Sequence, residues 1–266
     1  MSITKTSICF YKDQFQPTHW VPVPADSLFF RYGAGFFETV LYHDKHIHHL
    51  ELHLDRLRFS IESFGFQWAE PQIEALILKL LELNTLTHVT ARINVHLSIE
   101  KWDAPPLLCL QVFPYKPVPE KTYRLQISEQ IHCSFLNTHK STNYWAYAYL
   151  KHQAELNGFD DVILTDPNGI LLETTSAALF FLINSKLHLT PVAYRLASTT
   201  LALLTKEIEF EIVTLTTKDL DAVQHAYVAN ALIGIKPITS INNLALNPDW
   251  EFCNRWNLVL IGWGKF

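Results

Sequence analysis

Three prolines fall within six residues, at Pro114, Pro117 and Pro119. Proline fixes φ at roughly −65° and has no amide donor, so such a run suits neither a helix interior nor a central strand. It reads as a semi-rigid connector. At 266 residues the chain is longer than a single core usually grows. The expected organisation is a smaller N-terminal domain over 1–113, an interdomain linker over 114–120 and a larger C-terminal domain over 121–266.

Hydrophobic spacing fills in both halves. Before the linker, strands are expected over 7–15, 36–42, 90–99 and 107–113, with helices over 49–64 and 71–83. Leu50, Leu54, Leu57 and Ile61 recur at helical intervals, and Gly65 can end that helix. After the linker, 123–129 reads as a strand and 142–157 as a helix. Short strands follow over 161–165, 170–173, 178–183 and 186–190, with an Asp166-Pro-Asn-Gly169 turn between the first two. A helix over 199–209 precedes strands near 211–215 and 226–228, and the tail containing Trp250, Trp256 and Trp263 is expected to pack. Strands and helices in this order indicate an α+β protein, with an α/β sandwich-like first domain and a strand-rich second one.

Charge and cysteine usage narrow the function. A net charge of −5 offers no general attraction to nucleic acid or an anionic membrane. No apolar run is long enough to span a bilayer. The N-terminus lacks a secretory layout, and four scattered cysteines without metal or redox spacing suit reduced thiols, so a cytoplasmic location is expected. Eight glycines without a Gly-x-Gly-x-x-Gly or a P-loop argue against a nucleotide cradle.

Chemistry is suggested by Lys140 in Lys140-Ser-Thr-Asn143-Tyr144 and by Glu173 in Ile170-Leu-Leu-Glu173-Thr-Thr-Ser176. A lysine that forms a Schiff base and a carboxylate that holds a pyridinium proton are what pyridoxal 5'-phosphate (PLP) chemistry requires. Each has a plainer alternative. Lys140 could be a surface lysine before a helix, and Glu173 could face solvent by strand alternation. Arg56 offers a paired contact to a phosphate, or an ordinary helix salt bridge. Ser198-Thr199-Thr200 opens a helix, whose free amides favour an anion, or simply caps it. His46, His48, His49 and His53 resemble a zinc site, but the glutamate is misplaced for His-Glu-x-x-His. They are read as packing and solvated histidines, and no metal is expected.

These segments together resemble the class IV (fold-type IV) PLP enzymes, which include branched-chain and D-amino-acid aminotransferases and aminodeoxychorismate lyase. The resemblance covers nearly the whole chain. It is carried by Arg31-Tyr-Gly-Ala-Gly-Phe-Phe-Glu38-Thr39, His53-Leu-Asp-Arg56-Leu, the Lys140 and Glu173 segments, Gly158-Phe-Asp-Asp161, Thr190-Pro191 and Ala229-Asn230-Ala231-Leu232-Ile-Gly234. It implies a two-domain, D-amino-acid aminotransferase-like fold, with Lys140 as the Schiff-base lysine and Glu173 as the partner of the pyridine nitrogen. Arg56 would be a phosphate ligand, and the backbones of Ser198 and Thr199 and the turn at Asn230-Ala231 would complete the phosphate cup. A small-molecule amino substrate and a homodimer are implied as well.

Several positions depart from the family pattern: Ala34, Ala178, Ala197, Thr200 and Ala229 replace residues that members usually carry. None removes the lysine, glutamate or arginine. Leu41 stands where branched-chain aminotransferases usually have arginine. The short Lys140-to-Asn143 spacing and Asn230-Ala-Leu resemble the lyase more. Tyr32, Glu38 and His96 are the expected substrate-side residues.

Overall fold

The computed structural model describes residues 7–262, and the chain divides into two compact units. The first takes in the described residues up to Pro117 and, from further along the chain, His139–Asn143; the second takes in Val118–Thr138 and the described residues from Tyr144 onward. The five residues around Lys140 thus cluster with the first unit, although they lie beyond the linker in sequence.

The first unit is one sheet backed by two helices. Its elements are β1 (Ile8–Tyr11), β2 (Gln14–Pro17), α1 (Leu28–Tyr32), β3 (Gly35–His43), β4 (His46–Ile47), α2 (Leu50–Ser63), α3 (Ile73–Leu83), β5 (Ala91–Ser98) and β6 (Leu107–Pro114). The strands run in the order β2-β1-β6-β5-β3-β4, all antiparallel. Alternation sends Phe36, Val40, Ile93, Val95, Leu97, Leu108 and Leu110 into a core with Leu54, Leu57 and Ile61 of α2 and Ile77, Leu80 and Leu81 of α3. The strand expected over 7–15 is instead a hairpin. Lys12 and Asp13 turn the chain with φ of 50° and 59°, a two-residue reversal that sequence reading missed because it carries no glycine or asparagine.

The second unit is built on a nine-stranded mixed sheet. It holds β7 (Tyr123–Ile131), α4 (Trp145–Leu156), β8 (Asp161–Thr165), β9 (Leu171–Thr174), β10 (Ala178–Ile183), β11 (Lys186–Leu189), α5 (Thr199–Glu207), β12 (Glu211–Ile212), β13 (Val223–Asn230), β14 (Gly234–Ile241), β15 (Leu244–Ala245) and α6 (Trp250–Ile261). The strand order is β12-β11-β10-β13-β14-β7-β8-β9, with β15 on β14. The expected 166–169 turn is present, and the Asp166 carboxylate fixes it by accepting from the amides of Asn168 at 2.9 Å and Ile170 at 2.8 Å. The tryptophan-rich tail forms α6, capped by Asp249, whose carboxylate accepts from Phe252 N at 3.0 Å. Trp263 lies outside the described residues.

Asn257 on α6 clamps β14. Its Oδ1 accepts from Ile235 N at 2.6 Å, and its Nδ2 donates to Ile235 O at 2.9 Å, with the side chain buried. Asn257→Ala leaves both main-chain groups of a central strand unpaired. The expected cost is about 2–3 kcal/mol, read as a shift of the urea midpoint at unchanged slope.

Candidate active site

Lys140 is held by its backbone before its side chain is considered. Phe37 N donates to Lys140 O at 2.9 Å, Ser141 bridges Phe36, and Thr142 N donates to Gly35 O at 2.9 Å. Thr142 Oγ1 also donates to Gly33 O at 2.6 Å. Residues 139–143 therefore run beside β3, joined to it by one bridge and flanking main-chain bonds. This explains why α4 starts at Trp145 rather than at the expected 142. The Lys140 Nζ sits 4.5 Å from the centroid of the Phe37 ring, a cation–π geometry.

Two glycines make this docking possible. Gly33 has φ of +66°, and a Cβ there would meet Asn143 Cα at 3.3 Å. At Gly35 a Cβ would lie 2.5 Å from Leu97 O and 2.9 Å from Thr142 Oγ1. Gly35→Ala forces β3 away from β5 or from the lysine segment. The expected result is a loss of about 1–3 kcal/mol in stability together with slower labelling of Lys140 by amine-reactive aldehydes.

On the other face of β3, Glu38 is fully buried. Its Oε1 accepts from Arg56 Nε and its Oε2 from Arg56 Nη2, both at 2.6 Å. Its Oε2 also accepts from His53 Nδ1 at 2.6 Å. Burial works to raise the carboxyl pKa, but the guanidinium beside it wins and brings it down to about 2. Burial pushes His53 the opposite way from the pull of Glu38, below its usual value. The imidazole is thus neutral, with Nδ1–H as donor, and Arg56 is the cation of the trio. Glu38, expected on the substrate side, is buried with its carboxylate paired to Arg56 and His53. His53, part of the apparent zinc pattern, is committed to Glu38. Among the described residues, no group of three His, Cys, Asp or Glu could hold a metal.

His96 on β5 stacks on Phe37, with centroids 5.7 Å apart and planes 14° apart, so the ring beneath Lys140 is itself supported by an imidazole. Burial, and then the charge of Arg92, lower its pKa to about 4, so it is neutral near pH 7. Tyr32 ends α1 exposed, with the Arg31 guanidinium 4.9 Å above its ring.

In the second unit Glu173 is buried in β9, and the solvent-facing alternative falls away. Its Oε1 accepts from Leu196 N at 3.1 Å. Arg195, also buried, sends Nε to Thr190 O at 2.8 Å and Nη1 to Leu196 O at 2.9 Å, bracing the turn that touches Glu173. Asp161 fixes the turn after Glu173: it accepts from Thr175 Oγ1 at 2.6 Å and Ser176 Oγ at 2.7 Å. Tyr144 donates to Thr175 O and stacks on Tyr147, centroids 4.7 Å apart. Burial, with the charges of Asp161 and Glu173, pushes the Tyr144 phenol far above its ordinary value.

Ser198 caps α5, its Oγ accepting from Leu201 N at 3.3 Å, and Thr199 and Thr200 are buried behind it. Asn230 closes a turn: Oδ1 accepts from Leu232 N at 2.9 Å and Ile233 N at 3.0 Å, and Nδ2 donates to Ser176 O at 3.0 Å. Ala231 lies in that turn, half-buried. The Asn230 side chain thereby ties β13 to the loop after Glu173. Asp161 and Tyr144 were quoted within motifs but given no role by sequence reading, and Arg195 was not singled out.

The model of the amino-transferase class IV family matches residues 35–241, most of the chain. The chain belongs to the class IV aminotransferase family. A provisionally named branched-chain-amino-acid aminotransferase of Methanocaldococcus jannaschii is 25% identical over 236 residues, 81% of each chain. The branched-chain aminotransferase of the archaeon Thermoproteus uzoniensis, solved with norvaline, superposes with a TM-score of 0.86 at 16% identity, covering 97% of this chain and 95% of that one. A provisionally named 4-amino-4-deoxychorismate lyase of Legionella pneumophila gives 0.79 at 21% identity, with 91% and 95% coverage. The fold of this class IV enzyme is therefore the mixed α/β fold of those structures, as the sequence resemblance implied. No described helix is long and apolar enough to cross a membrane.

Proposed function

We propose that this class IV enzyme binds PLP and acts on the amino group of an amino acid or amino-acid-like substrate. The observation that carries this reading is Lys140, docked by its backbone along β3 with Nζ over Phe37, in a chain that also buries a carboxylate at Glu173. The donor set fits the cofactor: an amine to attach it, a carboxylate for its ring nitrogen, and cationic and helix-end groups for its phosphate. Bound PLP supplies an electron sink for the substrate carbon. Lys140 Nζ provides the attachment point and the base that takes the proton from the substrate α-carbon. Glu173 would hold a proton at the pyridine nitrogen. The phosphate would be held by Arg56 and by the amides of Ser198, Thr199 and the Asn230-Ala231 turn.

The test is the near-visible spectrum before and after borohydride, with the modified peptide mapped. A band removed by borohydride and an adduct on Lys140 are expected. A protein that stays colourless with added PLP overturns the reading.

Of the reactions such a site serves, we favour elimination of pyruvate from 4-amino-4-deoxychorismate. The short Lys140-to-Asn143 spacing, the Asn230-Ala231-Leu232 turn and the buried Leu41 support it. The name of the Methanocaldococcus jannaschii relative favours transamination as the second reading. Pyruvate release without a keto-acid acceptor is the expected result, and turnover only with an acceptor selects transamination. A cytoplasmic homodimer completes the proposal, and a monomeric mass in sedimentation would remove its dimeric part.

A further inference from the structure

Cys9 and Cys109 lie on neighbouring strands of the first unit. β1 pairs with β6 through Phe10 opposite Leu110 and Tyr11 opposite Cys109, so Cys9 stands diagonally across from Cys109. Phe10, Leu108 and Leu110 face the helix-backed core, and alternation puts both cysteines on the other face of the sheet. There the two thiols lie near enough for each to bear on the other's ionisation. Cys9 is fully buried and Cys109 half-buried, so an oxidant meets Cys109 first.

We propose that Cys9 and Cys109 are a redox-modification site that closes to a disulfide with hydrogen peroxide. The Cys109 sulfur attacks one peroxide oxygen, the O–O bond breaks, and a water leaves, giving a sulfenic acid. The Cys9 sulfur then displaces its hydroxyl as a second water, and the S–S bond forms. The two thiol hydrogens end in the two waters, one peroxide is reduced, and two thiols are oxidised.

Diagonal neighbours sit roughly 7–8 Å apart at Cα, just beyond the ~4.4–6.8 Å that a disulfide spans, so β1 must slide slightly along β6. Its pairing to β6 covers only those two positions. Burial pushes both thiols up, Cys109 to about 12, so closure is slow near pH 7 and selective for small oxidants. The link would bear on the lysine platform. Cys109 is directly opposite His96, which stacks on Phe37, which lies beneath Lys140.

The test uses the full chain treated with hydrogen peroxide, alkylated after unfolding, and mapped without reduction. A Cys9–Cys109 cross-linked peptide is expected, lighter by two hydrogens, reversed by dithiothreitol, present in Cys133→Ser and absent in Cys109→Ser. Recovery of Cys9 and Cys109 as alkylated thiols while exposed Cys133 is oxidised overturns the proposal. So does Cys109 found as a sulfinic acid beside an alkylated Cys9. None of these readouts depends on PLP, so they stand or fall apart from the proposed function.

Discussion

Lys140→Ala is expected to lower turnover by about 10³–10⁴-fold and to abolish the borohydride-stable adduct, with the fold intact. The contacts that seat residue 140 are main-chain ones: Phe37 N to its carbonyl, and the bridge of Ser141 to Phe36. Alanine keeps them all. What it removes is the amine above Phe37, and with it both the proposed attachment point and the proposed base. The melting temperature should therefore stay close to that of the parent while steady-state turnover collapses. Added methylamine, a free amine of the same chemistry, should restore part of the rate. Undiminished turnover in the variant would move the base to another residue.

Glu38→Ala carries the largest expected effect on stability, about 3–5 kcal/mol by urea unfolding. It strands the Arg56 guanidinium, one-tenth exposed, and the His53 ring, one-fiftieth exposed, without the carboxylate that receives three of their hydrogen bonds. Glu38→Gln should cost less, because it keeps the volume and one acceptor oxygen. Under the proposed function, PLP affinity should weaken in both variants, since Arg56 loses its aim.

The same trio fixes the response to acid. The folded Glu38 pKa is lowered from 4.5 to about 2, so its contribution is fully present above pH 4.5 and disappears as pH falls towards 2. His53 is lowered from 6.5, which adds stability above that value and loses it below. Both signs agree. Acid unfolding of the parent should therefore steepen from about pH 6.5 downward, and Glu38→Gln should flatten the lower part of that curve.

Much of this was legible in the sequence because local patterns agreed with the fold. The α2 stripe of Leu50, Leu54, Leu57 and Ile61, the alternation of β5 and the capped turn at Asp166 all obey short-range rules. The lysine, buried glutamate and helix-opening Ser198 could likewise be located from residue type and spacing. Three things could not. The Lys12-Asp13 reversal uses left-handed backbone at residues that seldom announce it. β14 was overlooked because Pro237 interrupts Gly234–Ile241, a stretch otherwise fit for a strand. The Glu38–Arg56–His53 trio joins residues 15 and 18 positions apart across a strand and a helix, and nothing in either segment names the other.

The docking of residues 139–143 on β3 also makes the protein hard to dismantle. The chain leaves its first unit at the prolines, returns for five residues, and leaves again. A gene cut at the linker gives a first fragment with the landing strand but no amine, and a second with the amine but nowhere to land it. Lys140 and its seat can be inherited, expressed or exchanged only together, so under the proposed function a domain shuffle at the linker is expected to yield two inactive pieces.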